Sequence, residues 1–213
     1  MRNNSIQTRL MKEASEWRLI GLLFECPVGE WKERIKSLAD AIGDFQLRTA
    51  VEFARVEAGE GLYHSIFGPG GPAPGREISY RGWAQPGFLL SELASFYQAF
   101  SYVTETNEVA DHVAVECGFI AYLRLKELYA VECSDKERAE ITHQAASTFI
   151  DDHLCKYAQK LSKLLTASGI EYLHLAGAAL FARVGPDKDA SRQIFLPVLE
   201  EDDQSMFECG VAH

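Results

Sequence analysis

Residues 109–131 read VADHVAVECGFIAYLRLKELYAV, and this stretch sets the class of the fold. Apolar side chains fill it at helical spacing, and two acids and an imidazole are set into its opening turns. Asp111 and His112 open the stretch. Glu116 follows one helical turn after His112, and Phe119 comes next on the same side, so acid, imidazole and second acid stand beside aromatic surface. Polar groups there are costly to bury unless something pairs with them. They therefore either lock one another or stay open for a ligand, which points to a recognition site more readily than to an active site. Asp111 suits the positive end of a helix, whereas a protonated His112 is disfavoured there. A neutral ring is expected unless Asp111 or Glu116 pairs with it.

On the N-terminal side, apolar spacing predicts helices over Thr8 to Glu25, Trp31 to Ile42 and Phe45 to Ala58, with further turns from Gly59 to Phe67. The run Gly68-Pro69-Gly70-Gly71-Pro72-Ala73-Pro74-Gly75 cannot hold helix. Helical signal resumes at Pro86 and continues to about Val103. Thr104 to Asn107 form a polar break. After the central stretch, Ser134 or Asp135 caps a helix that reaches about Ala167 with an interruption near Asp151-Asp152. Gly169 separates a last helix, Ile170 to Arg183, which Gly185-Pro186 ends.

The reading is an all-α fold, a single globular helical bundle of about eight to ten helices. Its N-terminal lobe covers about residues 8–67 and its C-terminal lobe about 86–186. A hinge loop at about 68–85 joins them, with Gly68, Gly70, Gly71 and Gly75 as the pivots. So glycine-rich a connection allows either a monomer or a helix-exchanged homodimer. Residues 187–213, carrying Glu200-Glu201-Asp202-Asp203, read as an acidic, solvated and mobile tail.

The balance of 21 basic against 31 acidic side chains gives a formal charge of −10, which opposes nucleic acid and anionic membranes as partners and favours a cationic or unfolded one. No stretch reaches the roughly 18 apolar residues of a membrane span, and the N-terminus lacks a secretory signal. A cytoplasmic location is expected. The five cysteines, 26, 117, 133, 155 and 209, contain no CxxC pair, so neither a disulfide framework nor a metal site is signalled. Idle or buried thiols are expected.

The aromatic residues Tyr63, Phe67, Tyr80, Trp83, Phe96 and Tyr97 flank the flexible loop, where exposed rings would suit an apolar peptide face. A glycine-rich loop can also cradle phosphate, which makes a helical hydrolase or nucleotide-dependent protein, using this loop and the Asp-His-Glu cluster, the alternative reading. Guanine nucleotide is the ligand to consider there, with little to support it. The lysine and the Ser/Thr of a P-loop are missing, and three prolines remove donors.

Taken in order, Tyr63-x-x-x-Phe67-Gly68-Pro69, a Pro/Gly loop leading to Ser79-Tyr80, Asp111-His112-x-x-x-Glu116-x-x-Phe119 and Phe149-x-x-x-His153-Leu154 resemble the TorD/DmsD/NarJ family of redox-enzyme maturation chaperones. The resemblance spans about Tyr63 to Arg183 and would make residues 1–186 a TorD-like all-helical domain. It implies a cytoplasmic, non-enzymatic protein that binds the leader peptide or the body of an apo-molybdoenzyme of the dimethyl sulfoxide reductase type. The leader would be a twin-arginine one. Such a protein assists molybdopterin cofactor loading of the client's catalytic subunit, prevents premature export, and holds no cofactor tightly itself. In these terms Asp111, His112, Glu116 and Phe119, with Tyr63, Phe67, Pro69, Tyr80 and Trp83, would contact the client, and Phe149, His153 and Leu154 form a structural motif. Val109-Ala110 replaces a frequent proline arrangement, and Tyr157 stands where a tryptophan often closes the last motif. The physics agrees, because a basic, apolar-centred leader needs carboxylates beside an aromatic groove.

Overall fold

The computed structural model describes residues 2–82, 84–104 and 106–187. Among these residues the chain forms nine α-helices and no strand: α1 (Arg2–Leu23), α2 (Trp31–Ala41), α3 (Phe45–Glu57), α4 (Glu60–Phe67), α5 (Pro86–Ala99), α6 (Val113–Glu132), α7 (Lys136–Phe149), α8 (Cys155–Ala167) and α9 (Glu171–Val184). A 3₁₀ turn, Glu77–Tyr80, precedes α5, and a π-turn, Ile150–Leu154, joins α7 to α8. The all-α expectation holds. Trp83 and the acidic run 200–203 lie outside the described residues.

Helix α6 is the axis of the molecule. Every residue from Asp111 to Ala121 is buried, and a helix enclosed on all sides in this way belongs at the centre of a core. Its most extensive partner is α1, with α7 on another face, while α8 packs on α9 and α3 covers α9. The approach of α1 is close. A Cβ at Gly21 would lie 3.0 Å from the carbonyl oxygen of Ala114 and 3.3 Å from Cβ of Cys117, so the crossing leaves no room for a side chain. Trp31 and Phe24 from the N-terminal helices join Phe119, Phe149, Tyr157 and Tyr172 in one cluster, each large side chain contributing roughly 1.5–3 kcal/mol by leaving water. Helices from before and after the Gly/Pro loop thus share a single core.

Helix ends follow local chemistry. Asp44 accepts the Leu47 N–H at 2.9 Å and Asp135 accepts the Arg138 N–H at 3.0 Å, so α3 and α7 begin on side-chain caps. The π-turn falls at the interruption expected near Asp151-Asp152. Helix α6, expected from about Val109, begins instead at Val113, because His112 is its cap: Nδ1 accepts the Ala114 N–H at 3.3 Å. The preceding residues form a turn closed by the His112 N–H on the Val109 carbonyl, 2.9 Å. Helix α5 likewise stops at Ala99 rather than near Val103, and Ser101 takes a left-handed φ of 55°.

The Gly/Pro loop folds back on itself and onto the entry of α6. Gly71 N–H donates to Gly68 O at 2.9 Å and Ala73 N–H to Ile66 O at 3.2 Å. Arg76 and His112 then form an isolated antiparallel bridge, flanked by Val113 N–H to Gly75 O and Glu77 N–H to Asp111 O, both 2.8 Å. Gly75 is required at this contact, since a Cβ there would run into the His112 ring.

Candidate functional site

The bridge brings charged side chains with it. Asp111 is fully buried, and Arg76 Nε donates to both its oxygens, at 2.9 and 3.2 Å. Arg76 itself remains 43% exposed, so it reaches in from the surface to neutralise an interior carboxylate. Next to it, His112 is also buried, and burial holds its pKa below the ordinary value, against the opposing pull of Glu108 and Asp111. With Nδ1 accepting from Ala114, the neutral ring carries its proton on Nε2. That atom faces the Tyr63 hydroxyl at 3.4 Å, and the Tyr63 O–H donates in turn to Glu108 at 2.6 Å. The neutral imidazole expected at this position is what the hydrogen bonds require.

The π-turn between α7 and α8 directs His153 into the same interior. Its Nδ1 lies 3.0 Å from Glu77 Oε2, and Arg81 Nε donates to Glu77 Oε1 at 2.6 Å. Tyr157 donates to Glu116 Oε2 at 2.9 Å, while Glu116 Oε1 has no donor among the described residues. Burial first, and the neighbouring Glu77 charge second, push the Glu116 pKa well above the ordinary range. The Tyr157 hydrogen bond pulls the other way and is outweighed. Tyr157 is buried as well and stacks on Tyr80 at 5.5 Å between ring centroids, and Tyr80 donates to Pro74 O at 2.7 Å.

The residues singled out by sequence are therefore brought together, but on the inside. Asp111, His112, Glu116, Phe119 and Tyr63 are buried, as are Phe149, His153 and Leu154. Phe119 is a core ring, 4.8 Å from Phe149 and 4.9 Å from Tyr97. Phe67 and Tyr80 are half-buried and Pro69 is exposed. An open Asp-His pair was the expectation, and burial under the loop replaces it, because Arg76 provides an internal partner of opposite charge. As for a phosphate cradle, the Gly71, Ala73 and Glu77 N–H groups are all spent on internal carbonyls. Arg76, Glu77, Arg81 and Glu108 were missed by sequence reasoning. The one available signal was that two arginines and a glutamate interrupt an otherwise neutral loop.

Two apolar clefts lie on the far side of α6. One, of about 440 Å³, runs between α1 and α6 beside Tyr102 and Val103. Ala114, Gly118 and Ala121 form its floor, and Met11, Val103 and Leu125 are exposed along it. A second, of about 550 Å³, shares Tyr122 and Leu125 with the first and continues past Tyr129 to Ile141 on α7. The buried first turns of α6 thus face the polar junction on one side and floor an apolar cleft on the other.

Among known proteins, residues 29–163 match the family model described as nitrate reductase delta subunit. Comparison with curated proteins finds no match.

Proposed function

Because the chain belongs to the nitrate reductase delta subunit family, a family of molybdoenzyme maturation chaperones, we propose that it works in the cytoplasm on the apo-form of a catalytic subunit of the dimethyl sulfoxide reductase type. It holds the client's twin-arginine leader while the molybdenum cofactor is inserted, and thereby delays export. It acts by binding and not by catalysis. One observation carries this reading: the opening turns of α6 carry His112, Glu116 and Phe119 on the side of the buried junction and floor an apolar cleft on the other.

In this reading the leader's apolar middle lies in the cleft along Met11, Val103 and Leu125. Its arginine takes the place of Arg76 on Asp111, so the Arg76 guanidinium is a stand-in for the client's own. Exchange of one guanidinium for another lifts the loop without leaving Asp111 unpaired, which is the state that costs most. His112 and Glu116 hold the entry of α6 while that exchange occurs. Affinity is expected on the order of micromolar, since the leader has to be released.

Calorimetric titration with the leader of a molybdoenzyme encoded beside this gene tests the reading. Asp111→Asn is expected to weaken binding at least tenfold, about 1.4 kcal/mol, and Arg76→Ala to tighten it. Leu125→Asp weakens it through the cleft. Unchanged binding by an Asp111→Ala/His112→Ala double variant removes the site assignment, and an enzyme body that binds where the leader does not moves the client contact elsewhere.

A further inference from the structure

Cys26, Glu60 and His64 come together at α4, outside the polar junction. Glu60 and His64 are four residues apart on this helix, so their side chains leave it on one side, with His64 Nε2 3.8 Å from a Glu60 oxygen. Cys26 reaches them from the loop after α1. One ligand atom from each residue lies within 4.8 Å of the other two. We propose that this triad is a binding site for one zinc-class divalent cation, with the thiolate, an imidazole nitrogen and a carboxylate oxygen as protein ligands and water in the fourth position.

The donor set argues for the cation class. A thiolate with an imidazole selects zinc, cobalt or a similar borderline metal over magnesium or calcium, and three protein ligands with one open position is a recurrent zinc arrangement. Geometry permits it: zinc bonds of about 2.0–2.3 Å put tetrahedral ligand atoms roughly 3.3–3.8 Å apart. The Glu60 and His64 side chains, 67% and 62% exposed, can close the difference by rotating. Among the described residues, no lysine or arginine is paired with Glu60 to compete for it. The Tyr63 ring stands edge-on to His64 at 5.4 Å and steadies it.

The test is a cobalt titration of the full chain under reducing conditions, read by the thiolate-to-cobalt charge-transfer band, with zinc then added to displace it. One equivalent is expected, with proton release on binding. Cys26→Ser should abolish the band, and His64→Gln should weaken binding at least about tenfold, the lower end of what even outer-shell partners command. A Cys133→Ser/Cys209→Ser double variant should keep the band. Absence of the band, its survival in Cys26→Ser, or its loss in the Cys133/Cys209 variant overturns the site. Thermal melts in chelator check the fold of each variant. If Cys26→Ser melts early, the solvent-facing Glu60→Gln/His64→Gln variant decides, and retention of cobalt by it overturns the proposal equally.

Discussion

Glu116 carries a pH signature that a single substitution can expose. The folded chain holds a proton on this acid at pH values where the unfolded chain has released it. Between the ordinary 4.5 and its own raised value the folded state is therefore the more protonated, and stability falls as pH rises. His112 works the other way, since its lowered pKa costs stability as pH falls below 6.5. Glu116→Gln imitates the neutral acid, and comparing it with the wild type cancels the His112 contribution. In urea denaturation from pH 4.5 to 8, the advantage of the Gln variant should widen, at most by about 1.4 kcal/mol per pH unit. A constant gap would mean that Glu116 ionises normally inside the protein. Arg76 and Asp111 offer a second test, of asymmetry. Arg76→Ala strands a buried carboxylate and should cost about 3 kcal/mol, the low end for breaking a buried ion pair. Asp111→Asn leaves a half-exposed arginine that water can solvate, and should cost less. Equal losses would show that the pair is not what holds the loop down.

At the scale of elements, the α1–α6 crossing is the contact most sensitive to size. Gly21→Leu inserts a side chain where even a methyl group is tight against Ala114. It should lower stability by about 1–3 kcal/mol or more through overpacking, whereas Gly43→Ala, with open space around it, should be close to neutral. Thermal melts of the two variants measure the contrast. The helices themselves were legible because apolar periodicity is a local signal: α3 starts at Phe45 and the π-turn falls at Asp151-Asp152, as the spacing predicts. The start of α6 was not, because histidine is outside the usual capping set and the apolar spacing runs on upstream to Val109 without a break. The site was half legible. Asp111, His112 and Glu116 stand out as polar residues in an apolar run, but their partners Arg76 and Glu77 come from a loop 35 or more residues away, and no periodicity reports that distance. Periodicity also shows which side of a helix is apolar, not that every side is covered.

For the molecule as a whole, charge is the property that bears most directly on the client. Under the proposed function, a net charge of −10 would attract a basic leader from a distance, and that attraction is screened by salt. Raising the ionic strength from about 50 mM to about 500 mM, where the Debye length drops well below 10 Å, should weaken leader binding severalfold. A leader whose arginine pair is replaced by glutamine should show almost no such dependence. Salt-independent binding of the native leader would place the contact in the apolar clefts alone.

The pairing of α1 with α6 also bears on how the chain is born. Helix α1, Arg2–Leu23, is synthesised ahead of the helix it chiefly packs on, α6, which closes at Glu132. At about 5–20 residues per second, translation leaves the apolar side of α1 waiting for several seconds before its match emerges. A protein that reads as a guardian of unfinished enzymes thus passes through its own interval of exposed apolar surface while it is being made.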